Sequence, residues 1–341
     1  MHTYFRGINR AAMSGTSVLP VKSTHGYLET TKQGAVMGRE NVVFLRGAVA
    51  KAPTVIKNDL GEPVYAHVFI NVGRDPRNAG DGIRYMKGDS PQVVTKEAEW
   101  IKEIETWDKY DIVNIMGTIT TRVVQKAHSC PHCHRKQLKM GQLVYIYPVF
   151  AEKICHLDTP EECVQYIVKH REISNRAIVL GTLCHEPKKY KTKQGVDVAQ
   201  FPMILGRNIR IPTDSPNITT DCPWVISYGE NAKQNKRRLI RGSEVLISGC
   251  IQTREVMRRA VCGQEYDERG KPVKNEDGTP KVNPANGCGE RFSWKDRATE
   301  ILATRCEYLN NYYTDDDLKE MGINIDETPA ADSAPDEEVP E

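Results

Sequence analysis

The sequence predicts an all-β protein made of two tandem copies of one small five-stranded barrel. Three observations support this prediction: an internal repeat, short strand-like runs in each copy, and one short helix at the same place in both copies. The chain has 341 residues, of which 39% are apolar and 27% charged, so it is long enough and apolar enough for two globular domains.

The repeat is the most informative of these observations. The segment NVVFLRGAVAKAP at 41–53 is echoed 134 positions later by NRAIVLGTLCHEP at 175–187. Further along, VNIMGTITTR at 113–122 is echoed 132 positions later by VLISGCIQTR at 245–254. A nearly constant offset over about eighty residues indicates one fold used twice.

The order of elements is the same in both copies. In the second strand of copy one, Val68, Ile70 and Val72 alternate with His67 and Phe69, which is the period-two pattern of a half-buried strand. Five short strands, with one helix between strands three and four, are the element order of a small closed barrel. The strands and helices are predicted at 42–50, 65–72, 97–107, 113–122 and 143–153, then at 177–184, 198–205, 223–228, 230–240, 245–254 and 298–309.

The flanking segments differ in composition from the two copies. The connecting helix begins at Thr159-Pro160-Glu161-Glu162, which supplies an N-cap, a proline in the first turn and a capping-box glutamate. The predicted organisation is a flexible N-terminal arm at 1–40, a first barrel at 41–158, a connecting helix at 159–172, a second barrel at 173–310 with a long insertion at 255–297, and a disordered acidic tail at 311–341.

Charge is distributed unevenly along the chain. After Thr314 there are eleven acidic residues and one basic residue, so the part before the tail has 46 basic and 34 acidic residues, a charge of +12. A basic body with an acidic tail predicts a polyanionic ligand, although such a tail also serves solubility alone. The sequence has no membrane-length apolar stretch and no signal segment, which predicts a cytoplasmic protein with no membrane partner.

The second copy resembles a known family. The segment WVISYGENAKQNKRRLIRGSEVLISGCIQTR at 224–254 is similar to the bacterial single-stranded DNA-binding protein family, as are the hairpin at 175–201 and the strand at 298–309. The resemblance implies an OB fold and sequence-tolerant binding of single-stranded DNA. It also implies four OB domains per assembly, which a homodimer of this chain would supply. In that family an apolar tip of the tail docks replication and repair proteins, whereas this tail ends Glu337-Glu338-Val339-Pro340-Glu341.

The predicted strand-binding residues are aromatic rings for stacking bases and cations for neutralising phosphates. Trp224 and Tyr228 share one face of a strand, and the resemblance aligns Tyr228 with a groove aromatic. In copy one, Lys96 stands where the family has that ring. Each ring is alternatively a core residue, and each cation a solvated surface charge. The predicted set is Tyr228, Trp224, Phe69, Tyr190, Lys188, Lys189, Lys191, Lys193, Arg207, Arg210, Arg122, Arg254, Arg74 and Arg84.

Cysteines fall into two groups by their spacing. Cys184, Cys222, Cys250 and Cys306 stand singly in strand-like segments, where free cysteine behaves as a small buried hydrophobe in a reducing compartment. Both copies carry an insertion between strands four and five. The first insertion is a zinc-ribbon-like hairpin with Cys130-Pro131-His132-Cys133, and the second carries Cys262-Gly263 and Cys288-Gly289.

The spacing of Cys130 and Cys133 is that of half a zinc site, because two thiolates at that spacing share one tetrahedral ion. Two ligand sets are open for a structural zinc ion. Either nearby histidines (His128, His132 and His134) complete the site, or Cys262 and Cys288 do. The third interpretation is a polar hairpin that descends from a zinc ribbon and no longer binds a metal ion.

The function expected from these observations is non-enzymatic. The sequence has no phosphate-binding loop, no HExxH helix and no GxSxG elbow. The main prediction is a protein that protects single-stranded DNA in replication, recombination or repair, working with replication or recombination proteins. The alternative is an OB-fold interaction module that binds nucleic acid weakly. The sequence does not distinguish DNA from RNA as the ligand.

Overall fold

The computed structural model describes residues 40–74, 87–207, 209–211, 218–267 and 272–321. The predicted N-terminal segment at 1–40, except for Glu40, lies outside these residues, as do the tail beyond residue 321 and the candidate Arg84. Within the described residues, no helix is long and apolar enough to span a membrane.

The first half of the chain forms one closed barrel, as predicted. Strand β1 pairs with β3, β3 with β5, β5 in parallel with β7, β7 with β6, and β6 with β1. The elements are β1 Asn41–Val49, β2 Thr54–Lys57, β3 Pro63–Arg74, β4 Lys87–Asp89, β5 Gln92–Thr95, α1 Ala98–Glu105, β6 Asp111–Ser129 and β7 Lys136–His156.

The second half repeats this closure. Strand β8 pairs with β10, β10 with β12, β12 in parallel with β14, β14 with β13, and β13 with β8. The all-β fold of two tandem OB barrels is therefore confirmed. The elements are the connecting helices α2 Pro160–Lys169 and α3 Arg171–Ser174, then β8 Asn175–Leu183, β9 Lys188–Lys191, β10 Asp197–Gly206, β11 Thr220–Asp221, β12 Trp224–Tyr228, α4 Gly229–Arg238, β13 Leu239–Val261, β14 Arg291–Tyr312 and α5 Asp315–Glu320.

Close packing explains the glycine that recurs in both copies of the repeat. A Cβ atom on Gly47 would lie 2.1 Å from the carbonyl oxygen of Asn71, and one on Gly181 would lie 2.2 Å from that of Ile204. No other residue fits without moving the neighbouring strand. The first strand of each barrel therefore crosses the second at a point that only glycine allows.

The two barrels are joined through a continuous sheet. Strands β1 and β8 pair antiparallel, with Val43 opposite Ala177. Each strand begins with an asparagine whose side chain bonds both backbone groups of one residue in the fourth strand of its own barrel. Asn41 bonds Ile119 at 3.0 and 2.9 Å, and Asn175 bonds Ile251 at 2.8 and 2.9 Å. The joint therefore has an approximate twofold symmetry, and buried apolar residues from both barrels form one core cluster.

A reciprocal pair of buried carboxylates holds the joint from both sides. Asp221 of the second barrel accepts from the amide of Thr121 in the first at 2.6 Å, and Asp89 of the first accepts from the amide of Thr253 in the second at 2.6 Å. Each threonine precedes the arginine of the Thr-Arg repeat. The repeated Thr-Arg motif thus marks the place where each barrel receives a carboxylate from the other.

The two insertions extend the strands that precede and follow them. Strand β6 extends to Ser129 before the first loop and β7 begins at Lys136 after it. In the same way, β13 extends to Val261 and β14 begins at Arg291. Each pair therefore projects from its barrel as a long two-stranded arm. The arms meet along their length, since His128 stacks on Trp294 with ring centroids 4.2 Å apart and Lys126 pairs with Asp296 at 2.7 Å.

Candidate nucleic-acid interface and metal centre

One face of the second barrel collects the three predicted aromatic residues of that half. Val198 of β10 lies opposite both Tyr190 of β9 and Tyr228 of β12. Four residues further along β10, Pro202 lies opposite Trp224 of β12. Directly opposite residues, and residues two apart on one strand, point to the same side of a sheet. The three rings therefore share one side of the sheet β9–β10–β12, and all three are half-buried.

The two tyrosines pack on a small apolar cluster on this side of the sheet, formed by Val198, Ile226, Cys250 and Leu302. Burial raises the pKa of Tyr190 to about 12, and burial likewise raises the pKa of Tyr228. Both phenols therefore stay uncharged at neutral pH.

A cation lies beside these rings. Arg254 forms an ion pair with Glu300 at 3.1 Å, and Glu300 also accepts from the side chain of Gln200 at 2.6 Å. Burial lowers the pKa of Arg254, but the hydrogen bond and charge of Glu300 outweigh it and raise the pKa overall. The Gln252 side chain donates to the Tyr228 hydroxyl at 3.2 Å, so the face is fixed by hydrogen bonds at this end.

The predicted lysines divide between the two sides of β9. Lys188 lies opposite Gln200, in the row between the Tyr190 row and the Trp224 row, and is exposed. Lys189 and Lys191 alternate with it and point to the other side. Lys193 is exposed in the turn after β9, and Arg210 is exposed beyond β10. The structure thus places Lys188 on the aromatic face, and Lys189, Lys191, Lys193 and Arg210 around its edge or away from it.

The structure corrects the expectation that Arg74 and Arg207 are open to phosphates. Both are buried, Arg74 against Asp89 at 2.5 Å and Arg207 against Asp221 at 2.6 Å. Their partners are the two carboxylates that cap Thr253 and Thr121 across the joint. A buried guanidinium with a carboxylate partner is not accessible to a strand. Each arginine instead fixes the carboxylate that accepts from a threonine of the other barrel.

The first barrel has a different aromatic face, of which only Phe69 was predicted. Tyr65, His67 and Phe69 alternate along β3 with ring centroids 5.8 and 6.1 Å apart. The cations of Lys51 and Arg297 lie 5.4 and 5.3 Å from the centre of the Phe69 ring. The same period-two pattern that indicated Phe69 also places Tyr65 and His67 on its side of the strand.

Arg297 comes from the arm of the second barrel, so this face is built from both halves of the chain. Arg122 is exposed at the base of the first arm and lowers the pKa of Tyr65, although burial raises that pKa overall. Lys96 directly follows β5 and occupies the position that Tyr228 has at the end of β12, as the repeat indicated. The first barrel therefore has its rings on β3, whereas the second has them on β9 and β12.

The tips of the two arms bring four cysteines together. The sulfur atoms of Cys130, Cys133, Cys262 and Cys288 all lie within 4.8 Å of one another. Cys130 and Cys288 are 3.8 Å apart, and Cys133 and Cys262 are 3.5 Å apart. A tetrahedral zinc ion with sulfur ligands at about 2.3 Å requires sulfur–sulfur distances of about 3.8 Å. The four-cysteine arrangement thus fits a metal ion, and among the described residues no histidine joins this group.

Hydrogen bonds around the cysteines connect the two arms. The Gln137 side chain accepts from the amide of Gly263 at 2.8 Å and donates to the carbonyl of Asn286 at 2.9 Å. Arg135 donates to the carbonyls of Pro284 and Ala285, both at 2.9 Å. Each pair of cysteines comes from a different barrel, so a metal ion here would crosslink the two halves of the chain.

Comparisons with known proteins found one family model and several solved structures that are similar to this chain. Residues 174–267 match the model described as the Single-strand binding protein family. Among solved structures, the wild-type single-stranded DNA binding protein from Thermus aquaticus is similar, with 14% identity, a TM-score of 0.47, and coverage of 80% of this chain and 94% of that chain. A deletion mutant of the same protein has 15% identity, a TM-score of 0.47, and coverage of 81% and 98%. No curated protein matches the chain.

Proposed function

We propose that this chain, an OB-fold protein like those of the single-strand binding protein family, binds single-stranded DNA without catalysis and without reading its sequence. The observation that supports this best is the face of the second barrel. There, Tyr190, Tyr228 and Trp224 share one side of a sheet with Lys188 and Arg254. The match to the family model covers residues 174–267, which include β8 to β13 of this barrel.

The chemistry of this face suits a flexible strand. Every base has a flat π-face, so stacking on a ring stabilises the complex by about 1–3 kcal/mol per base whatever the sequence. Cations beside the rings neutralise phosphates and release counterions, which makes the affinity fall as salt rises. Tyr65, His67 and Phe69 of the first barrel, with Lys51 and Arg297, offer a second surface of the same chemical kind.

The four cysteines at the tips of the arms bind a structural zinc ion in this proposal. Four thiolates with the separations found here are the ligand set that zinc takes in closed structural sites. When bound, zinc would contribute folding free energy by fixing the two arms to each other. Cysteines must be in the reduced state to bind zinc as thiolates, and we infer a cytoplasmic location, where thiols stay reduced.

A homodimer would give four barrels, and the outer face of the shared sheet supports it. Phe44 on β1, Met116 on β6 and Phe150 on β7 form one exposed row of this face. On the other side of the joint, Leu180 on β8 lies opposite Leu246 on β13. Exposed large apolar side chains in one row mark this face as a candidate interface between two copies of the chain.

We place the protein with those that protect single-stranded DNA during replication, recombination or repair. The alternative is an OB-fold interaction module whose main ligand is a protein of replication or recombination. Lys96, which stands where the second barrel has Tyr228, favours that alternative for the first barrel only.

Titration of fluorescent oligo-dT across a range of salt concentrations tests the proposal. We expect tight binding whose logarithmic affinity falls linearly with the logarithm of the salt concentration. Duplex DNA of equal length should bind far more weakly, since its bases are already stacked. Poly-rU of equal length measures the preference for DNA over RNA. Binding that is weak at low salt, or equal on duplex and single strand, would contradict the proposal.

A further inference from the structure

Two cysteines of the second barrel form a pair that the sequence did not reveal. Cys184 directly follows β8, and Cys222 lies between β11 and β12, 38 residues later. Their sulfur atoms are 3.3 Å apart and both side chains are half-buried. Each cysteine stands singly in its own segment of the sequence, and the closed barrel brings the two segments together.

The backbone at both cysteines is fixed by hydrogen bonds. The Cys184 amide donates to the carbonyl of Pro202 at 3.1 Å, and the Cys222 amide donates to the hydroxyl of Thr121 at 3.1 Å. The Gln142 side chain also donates to the Cys222 carbonyl at 2.7 Å. Since a disulfide has a sulfur–sulfur distance of about 2.05 Å, the two sulfur atoms, now 3.3 Å apart, are already close to bonding distance.

The surroundings of the pair give the two thiols different roles. The hydrogen bond from Cys222, together with the nearby charge of Arg241, lowers the pKa of Cys184, although burial opposes this. The same hydrogen bond, together with burial, raises the pKa of Cys222. We therefore expect Cys184 to react first with an oxidant and Cys222 to react second.

We propose that Cys184 and Cys222 are a redox modification site, which a peroxide converts reversibly into an intramolecular disulfide. The Cys184 thiolate attacks one peroxide oxygen, the O–O bond breaks, and hydroxide leaves, which produces a sulfenic acid on Cys184. The Cys222 sulfur then attacks the Cys184 sulfur, the S–S bond forms, and the sulfenic oxygen leaves as water with the Cys222 proton. Overall, two thiols and one hydrogen peroxide become one disulfide and two waters.

The first barrel contains a natural control for this site. Ala50 occupies the position of Cys184, and its amide donates to the carbonyl of Phe69 at 2.9 Å, as that of Cys184 does to Pro202. Ser90 occupies the position of Cys222, since it follows Asp89 as Cys222 follows Asp221. The fold therefore has no need of a thiol at either position, and the variant Cys184→Ala/Cys222→Ser is expected to fold.

Peptide mapping after oxidation tests the proposal on the full chain without any nucleic acid. The protein is treated with a small excess of hydrogen peroxide, alkylated, digested and analysed by mass spectrometry. We expect one crosslink between the peptides that contain Cys184 and Cys222, with two fewer of the ten thiols alkylated and both recovered after dithiothreitol. The double variant should lose this crosslink with an unchanged circular dichroism spectrum, whereas Cys306→Ser should keep it.

Two results would overturn the inference. In the first, Cys184 and Cys222 both remain alkylatable at a peroxide concentration that has already oxidised the four cysteines of the arms. In the second, Cys184 becomes sulfinic acid while Cys222 stays a free thiol. Both readouts are independent of DNA binding, so their outcome leaves the proposed function untouched.

Discussion

Replacement of Tyr228 by alanine is the sharpest test of the aromatic face. Loss of one stacked base costs about 1–3 kcal/mol, so we expect the affinity for oligo-dT to fall by about 5- to 150-fold. Trp224 and Tyr228 are four positions apart on β12, which is about 13 Å at the rise of a strand. This separation is about four times the 3.4 Å step between stacked bases, so the two rings must take different bases.

Because the rings act on different bases, their losses should add. The Tyr228→Ala/Trp224→Ala double variant is expected to lose about 2–6 kcal/mol of binding free energy. The matched control is Tyr228→Phe, which keeps the ring and removes only the hydroxyl that accepts from Gln252. That variant should bind within about threefold of the wild-type protein, since one neutral hydrogen bond contributes roughly 0.5–1.5 kcal/mol to stability and none of it directly to stacking.

Salt dependence separates stacking from phosphate contact. Tyr228→Ala should leave the slope of log affinity against log salt unchanged, because no charge is removed. Lys188→Gln should reduce that slope by about 0.7, the value expected for one phosphate contact on a single strand. If both aromatic variants bind oligo-dT as tightly as the wild-type protein while remaining folded, the aromatic face is not the binding site.

Three further predictions concern the metal centre, the joint and acid stability. Elemental analysis of the purified chain should find one zinc per chain, and Cys262→Ser should remove it and lower the melting temperature; full zinc content in that variant would exclude the four-thiolate site. Asp221→Asn should reduce the free energy of unfolding in urea by about 3–5 kcal/mol, because it leaves the buried Arg207 without its anion; a loss below about 1 kcal/mol would show that this pair does not hold the joint. Burial alone raises the pKa of Asp111, but hydrogen bonds from the Asp108 amide, Lys153 and His156 lower it overall. The Asp111 carboxylate therefore stabilises the fold above the unfolded pKa of about 3.9. This stabilisation is lost as the pH falls through the folded pKa. Asp111→Asn should therefore be less stable than wild type at pH 7, and urea unfolding at decreasing pH should show the difference shrinking; a difference independent of pH would contradict this.

The sequence was sufficient for the fold because the fold depends on local and repeated signals. The alternation of Val68, Ile70 and Val72, the capping box at Thr159 and the constant offset between Gly47 and Gly181 each determine one element or its duplicate. Tyr228 and Trp224 were placed correctly on one strand face by their spacing of four. Tyr65 and His67 were missed, although the same alternation indicated them.

What the sequence determined by itself was therefore the periodic part: two barrels, their order of strands, and which rings share a strand. Tertiary structure alone decided which separate segments meet. It brought Cys130 and Cys133 to Cys262 and Cys288, paired Cys184 with Cys222, and buried Arg74 and Arg207 against carboxylates at the joint. The physical reason is that periodicity fixes the direction of a side chain on its own strand, whereas contacts between residues 14 to 158 positions apart depend on how barrels close and pack.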